Sequence, residues 1–185
     1  MKKFIALAIC LVMLLGGTAA MAEAETKSMG VLKVNKAFDI TYNPLPNDYE
    51  LSIYVQNDMT ILANIYTEQK TLPRMGLSIA FNDEWTGVER LNDISEEDLQ
   101  LIKDDFSQEY DGLAFDTRET AYGTKLLIVK APSGLDAYVY TIYKEHEIEV
   151  HIFPGEEQDV LTDADIERVV AFLSDMQFTP VEEAK

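Results

Sequence analysis

Three side chains near the C-terminal end of the chain have the types and spacing of a metal site or an acid–base site. Glu147, Glu149 and His151 are separated by single apolar residues, and side chains two residues apart in a strand point to the same face. Carboxylates and imidazole bind zinc, and they act as general bases in hydrolases. Same-face neighbours in a strand lie about 6 to 7 Å apart, so a metal would need further ligands from the facing strand. That strand offers Tyr140 and Ile142, so the metal hypothesis stands beside the simpler interpretation of a polar sheet face.

Four acidic clusters are the other candidates for binding a cation, and they lie at residues 82–84, 96–98, 104–105 and 163–165. None has the alternating oxygen ligands and the glycine of a calcium-binding loop. Two of the clusters lie at predicted helix starts, where acidic side chains complement the helix dipole. A calcium- or zinc-binding accessory protein is therefore one alternative function.

Complete catalytic sets and cofactor motifs are missing from the sequence. The chain has two histidines, no Gly-x-Ser-x-Gly turn and no glycine-rich phosphate loop, which are signatures of serine hydrolases and nucleotide-binding proteins. Its one cysteine, Cys10, lies in the leader described next. We assign no catalytic residue and no cofactor, and keep a hydrolase that uses Glu147, Glu149 and His151 as a second alternative.

The first 22 residues have the order of a bacterial-type secretory signal peptide. Two lysines precede an apolar run over residues 4–15, and small residues follow up to Ala22. The apolar run, about 12 residues, is shorter than the roughly 20 residues of a membrane-spanning helix. We predict cleavage after Ala22, with Ala24 as the rival site. The processed chain would be secreted or held in the cell envelope, outside the cytoplasm, without stable membrane insertion.

The chain is strongly acidic, with 33 Asp and Glu residues against 15 Lys and Arg residues and a formal net charge of −18. Loss of the two leader lysines leaves 13 basic residues against 33 acidic ones, a net charge of −20. Such a surface repels phosphate backbones and anionic lipid headgroups, so we expect no nucleic-acid partner. Cations and basic proteins remain as partners, and high solubility is the simplest consequence.

Alternating apolar residues predict a series of strands that is interrupted by two helices. The first helix is capped by Ser95 and ends near Gly112, and the second is capped by Thr162. The apolar stripe of the second helix is Ile166, Val169, Val170, Leu173 and Met176. After a strand-like start at residue 31, the predicted strands are 38–42, 49–55, 59–66, 77–81, 113–117, 125–130, 137–143 and 147–153.

Strands in runs, broken by isolated helices, are typical of an α+β domain with a central antiparallel sheet and helices packed on it. We place one such domain at residues 31–180. A flexible lead-in at 23–30 precedes it, and an acidic tail at 181–185 follows it.

The last two predicted strands form a hairpin, and we place its two-residue turn at Glu145 and His146. This register sets Tyr143 opposite Ile148, with the further pairs Thr141 with Val150 and Val139 with Ile152. It also gives His146 a positive φ, which histidine tolerates. One face of the hairpin is then apolar, and the other is either the half-covered side of the sheet or a binding surface. Trp85, in a loop, is either an anchor for a partner or a cover over the edge of the core. The predicted ligand or partner surface consists of Tyr138, Tyr140, Glu149, His151, Phe153 and Trp85.

The C-terminal part of the chain resembles a known family in its order of elements. The features are the strand at residues 123–129, the tyrosine-rich strand at 138–143, the strand at 148–152 and the terminal helix leading to Phe178. Over residues 76–178 this order is similar to PsbP-like domains. The resemblance implies an α/β/α sandwich and an extracytoplasmic, non-enzymatic accessory role, and it carries over no site residues. Related sandwich folds that enclose ligand cavities, such as cystatin-like domains, are an alternative. We therefore predict a secreted, non-catalytic binding or interaction module for an unknown protein or small ligand.

Overall fold

A computed structural model of the chain describes residues 29–34, 37–43, 45 and 49–181. The predicted signal peptide at 1–22, most of the lead-in and residues 182–185 of the predicted tail lie outside the described residues. The elements in chain order are β1 Gly30–Val34, β2 Phe38–Tyr42, β3 Glu50–Gln56, β4 Thr60–Tyr66, β5 Arg74–Phe81, α1 Glu96–Glu109, β6 Ala114–Glu119, β7 Lys125–Lys130, β8 Ala137–Tyr143, β9 His146–Phe153, α2 Asp163–Ser174 and β10 Gln177–Pro180. The α+β class predicted from the sequence is confirmed.

The strands form two antiparallel sheets. The larger sheet has the order β3-β4-β5-β9-β8-β7-β6, so two consecutive runs of strands meet where β5 pairs with β9. The smaller sheet has the order β1-β2-β10. Strand β10 follows α2 and returns to pair with β2, near the start of the domain. The sequence did not predict β10 or the separate small sheet.

The large sheet has a core on each of its faces. The main core lies between the sheet, α2 and the small sheet, and the apolar stripe predicted for α2 is buried there. The second core lies under α1, whose Leu99 and Ile102 pack against side chains of β7 and β8. Side chains alternate between the two cores because successive residues of a strand point to opposite faces. In β7, for example, Leu126 and Ile128 face the main core, and Leu127 and Val129 face the second.

Both predicted helix starts are confirmed. The Ser95 side chain accepts a hydrogen bond from the Asp98 backbone N–H at 3.0 Å. Thr162 and Asp165 form a capping box, in which each side chain accepts a hydrogen bond from the backbone N–H of the other residue. A cap of this kind contributes about 1 kcal/mol to the stability of a helix. These caps fix where α1 and α2 begin over the sheet.

The turn of the β8–β9 hairpin differs from its prediction. The two turn residues are Lys144 and Glu145, with φ of 47° and 64°, and Tyr143 pairs with His146. The prediction that His146 takes the positive φ is therefore wrong. His146 is a buried strand residue whose Nδ1 donates to the Lys144 carbonyl at 2.6 Å. Pairing differs from the prediction by two residues, so every side chain keeps the face assigned to it.

The positive φ of Lys144 leads to a stability prediction. Non-glycine residues are strained in this region, and replacing such a residue with glycine relieves the strain. We expect Lys144→Gly to raise the free energy of unfolding by about 0.5 to 1 kcal/mol, measured by denaturant titration. The control is Lys125→Gly in β7, where glycine should destabilise the strand. A loss of stability in Lys144→Gly would contradict the turn geometry.

Within the described ranges, no helix combines the length and the apolar character needed to cross a membrane.

Candidate functional site

The second face of the large sheet is only partly covered. Helix α1 lies over β7 and β8, and among the described residues no apolar side chain of β3, β4, β5 or β9 belongs to the core beneath it. Four neighbouring strands therefore present their side chains on this side without a helix above them, as far as the described residues go. We call this surface the open face. Its residues are Ser52, Tyr54, Leu62, Asn64, Tyr66, Gly76, Ser78, Glu149, His151 and Phe153.

Strand pairing places these residues in rows across the open face. One row runs from Ser52 through Asn64 and Gly76 to His151, and ends at Tyr138 under α1. The next row runs from Leu62 through Ser78 to Glu149, and ends at Tyr140. The small residues of β5 thus lie between larger side chains on both sides. We call this strip of small side chains at Gly76 and Ser78 the trough, and the edge of the helix-covered half of the sheet its wall.

Glu147 lies at the border between the open face and the second core, and its carboxylate has three donors. Its Oε1 accepts hydrogen bonds from Trp85 Nε1 at 2.8 Å, Tyr140 OH at 3.0 Å and Asn82 Nδ2 at 3.1 Å. Burial, and then the Glu147 carboxylate, raise the pKa of Tyr140, so its phenol stays protonated and donates. Glu147 therefore ties the loop that carries Trp85 to the sheet. Trp85 is half-buried against the second core. This position agrees with the interpretation of Trp85 as a cover over the edge of the core.

His151 is held by one carboxylate and two aromatic rings. Its Nε2 lies 2.8 Å from Asp136 Oδ1, in the geometry of a hydrogen bond from the ring N–H. Its ring stacks on Tyr138, with centroids 4.2 Å apart and planes at 17°, and contacts Phe153 at 4.3 Å. The imidazole is thus fixed in one orientation at the wall of the trough.

The hypothetical metal and acid–base group is not assembled as a site. Glu147, Glu149 and His151 do share a face, as the alternation predicted, but Glu147 and His151 are engaged by separate partners. In the described part of the chain, no three His, Cys, Asp or Glu side chains are grouped so that they could hold a metal ion. The same finding leaves the four acidic clusters without support as calcium sites.

Two residues of the predicted partner surface are buried. Tyr138 and Tyr140 are 6% and 5% exposed beneath α1, where Phe106 packs against both rings. The Tyr138 hydroxyl donates to the Tyr110 hydroxyl at 3.1 Å. Their inclusion in the surface is corrected, because alternation along β8 assigns a face but does not say which part of that face a helix covers. Glu149, His151 and Phe153 are half-exposed on the open face.

Two exposed tyrosines at this side of the sheet were missed by the sequence reasoning. Tyr66 is 39% exposed and donates its hydroxyl to Glu50 Oε2 at 3.0 Å. Tyr54 is 61% exposed and lies at a β-bulge, where the pairing with β4 shifts between Ile53 and Val55. A signal was present: each tyrosine lies one residue after a core-facing apolar residue, where alternation expects a polar side chain.

A small cavity lies within the main core, between the small sheet, α2 and the end of the large sheet. Its volume is ≈ 10 Å³, and its lining is wholly apolar: Leu32, Ile40, Tyr42, Leu45, Leu51, Ile65, Leu77, Phe172 and Met176. A space of this size holds one water at most, and an apolar lining keeps it dry. It is a packing gap and not a ligand pocket of the kind expected for a cystatin-like alternative.

The open face is thus a shallow surface with fixed aromatic and polar side chains at its wall. No protein-family model matches the chain, and no curated protein is significantly similar to it.

Proposed function

We propose that this protein is a non-catalytic interaction module that acts outside the cytoplasm and binds a partner protein through its open face. The observation that carries the proposal is the uneven cover of one face of the large sheet, where α1 lies over β7 and β8 and no helix of the described residues lies over β3, β4, β5 and β9. We further propose that the domain is an α/β/α sandwich of the PsbP-like type, supported by an antiparallel sheet with a helix packed on each face.

The size and composition of the open face support contact with a protein. Four strands about 4.8 Å apart and about 25 Å long present roughly 400 Å². A stable interface buries about 800 Å² on each partner, so the open face would form its centre and the surrounding loops its rim. Exposed tyrosine is enriched at the centres of such interfaces. On the open face the exposed tyrosines are Tyr66 and Tyr54.

The chemistry of the wall also supports binding over catalysis. A catalytic carboxylate or imidazole needs access to a substrate atom. Glu147 has its Oε1 occupied by three donors, and His151 faces Asp136 and two rings. These contacts hold side chains in place, which lowers the entropy cost of binding a partner.

The test compares two arginine substitutions. Ser78 lies in the middle of the trough between Leu62 and Glu149, and Leu101 is 56% exposed in α1. We expect Ser78→Arg to weaken capture of a specific partner from the cell envelope or medium by at least about tenfold, because the new side chain fills the trough. Leu101→Arg should leave capture unchanged. Equal capture by both variants, or capture of no specific partner by the parent protein, would contradict the proposal.

A further inference from the structure

We infer that the free edge of β3 accepts an extended segment of the partner, in which apolar residues alternate with lysine or arginine. This inference rests on the proposed role as an interaction module, and it adds where the partner's backbone binds and what its sequence looks like. Strand addition to a sheet edge is a common mode of peptide recognition, since the backbone supplies affinity and alternate side chains supply specificity.

The two edges of the large sheet differ in their protection. In the described residues, β3 pairs with β4 alone and β6 pairs with β7 alone. Strand β6 carries Asp116, Arg118 and Glu119, and Arg118 is held by Glu167 of α2. Strand β3 carries one charged residue, Glu50 at its start, and none from Leu51 to Gln56. Charged side chains keep other strands away from a sheet edge, so β3 is the edge that is open to pairing.

The core-facing side of β3 is incompletely buried. Leu51 and Ile53 are only half-buried against the main core, whereas the neighbouring side chains of β4 that face the same core, such as Ile61 and Ile65, are almost fully buried. An added strand would extend this side of the sheet by about 4.8 Å and cover both side chains. The residues of the segment that face this side should therefore be apolar.

The opposite side of β3 and the charge of the chain determine the alternate residues. Glu50 is exposed there, beside Ser52 and Tyr54 of the open face. A chain with a net charge of −18 attracts basic segments and repels acidic ones. It also repels a second copy of itself, so two β3 edges paired across a dimer are disfavoured. Lysine or arginine is expected at the residues that face this side.

The β-bulge sets the length of the pairing. The β3–β4 register is regular from Glu50 to Ile53 and shifts between Ile53 and Val55. A bulge bends the strand and interrupts the ladder, so a bound segment pairs regularly along residues 50–53 and departs after them. A short ladder of this kind gives weak affinity, and contacts between the partner and the open face add to it.

The experiment uses three synthetic octapeptides: alternating valine and lysine, the same residues in two blocks, and alternating valine and glutamate. Binding is followed by amide chemical shifts and hydrogen exchange of the isotopically labelled protein. We expect the alternating valine–lysine peptide to shift amides at residues 50–53 and to slow exchange there, and to bind at least about tenfold more tightly than the other two. An N-methylated version, unable to donate backbone hydrogen bonds, should lose binding to a similar degree.

Two protein variants give a matched comparison. Ile53→Lys places a charge on the core-facing side of the edge and should weaken binding by about tenfold, whereas Thr117→Lys on β6 should not. Four results would each overturn the inference. The N-methylated peptide could bind as tightly as its parent, or the shifts could centre on Ser78 and not on β3. The peptide could fail to bind at millimolar concentration, or the unbound protein could self-associate. The capture test with Ser78→Arg is independent of these outcomes, so the proposed function can hold even if no strand adds to the β3 edge.

Discussion

Replacing Phe38 with alanine should lower the free energy of unfolding by about 3 to 5 kcal/mol, the cost typical of removing a buried phenylalanine. Phe38 is 0% exposed in β2. Its ring contacts Tyr143 and His146 edge-on, with centroids 4.9 and 5.3 Å away, and lies 6.1 Å from Phe178 of β10. These contacts join the small sheet to the turn end of β8 and β9. The cavity left by alanine would loosen the small sheet as well as the core.

Denaturant unfolding measures this loss, with two variants for comparison. Phe38→Leu keeps most of the buried volume and should cost well under half as much. Tyr54→Ala removes an exposed ring and should change stability by less than about 0.5 kcal/mol. If Phe38→Ala were as stable as Tyr54→Ala, the packing of the small sheet against the hairpin would be refuted.

Loss of the Glu147 carboxylate should be nearly as costly. Glu147→Ala leaves Trp85 Nε1, Tyr140 OH and Asn82 Nδ2 without their shared acceptor. Hydrogen bonds to a charged group contribute about 1.5 to 3 kcal/mol each, and all three donors are on half-buried or buried residues. Because such contributions are not additive, we expect a total loss of about 3 to 5 kcal/mol.

Trp85 is the one tryptophan of the chain, so its fluorescence reports the release of its loop directly. The native emission of Glu147→Ala should shift to the red as the indole becomes exposed. Glu147→Gln keeps a carbonyl acceptor and should lose about half as much stability. Parent-like emission together with parent-like stability in Glu147→Ala would show that the three hydrogen bonds do not hold the loop.

The sequence predicted most elements because their signals are local. Alternation identified the strands, and the caps Ser95 and Thr162 identified the helix starts. Strand β10 has four residues, too few for an alternating pattern, and it exists because Phe178 and its neighbours pair with β2, far away in the sequence. That pairing is a tertiary effect, so no local pattern could indicate it.

The candidate site was predicted in part for a similar reason. The face shared by Glu147, Glu149 and His151 follows from the two-residue repeat of a strand. The burial of Tyr138 and Tyr140 follows from where α1 crosses the sheet, with its Phe106 packed on both rings, and the alternation along β8 does not indicate that position. The open face is the part of this sheet face that α1 leaves uncovered, so it could be identified only once the position of α1 was known.

The binding role of the open face is tested most directly by footprinting. Oxidative labelling with hydroxyl radicals, with and without the captured partner, measures the accessibility of each side chain. We expect a severalfold loss of labelling at Tyr66, Tyr54 and Phe153 in the complex, with labelling unchanged at Leu101 on α1 and Tyr122 in the β6–β7 turn. Protection of Leu101 or Tyr122 while Tyr66 and Phe153 stay fully labelled would contradict the binding role of the open face.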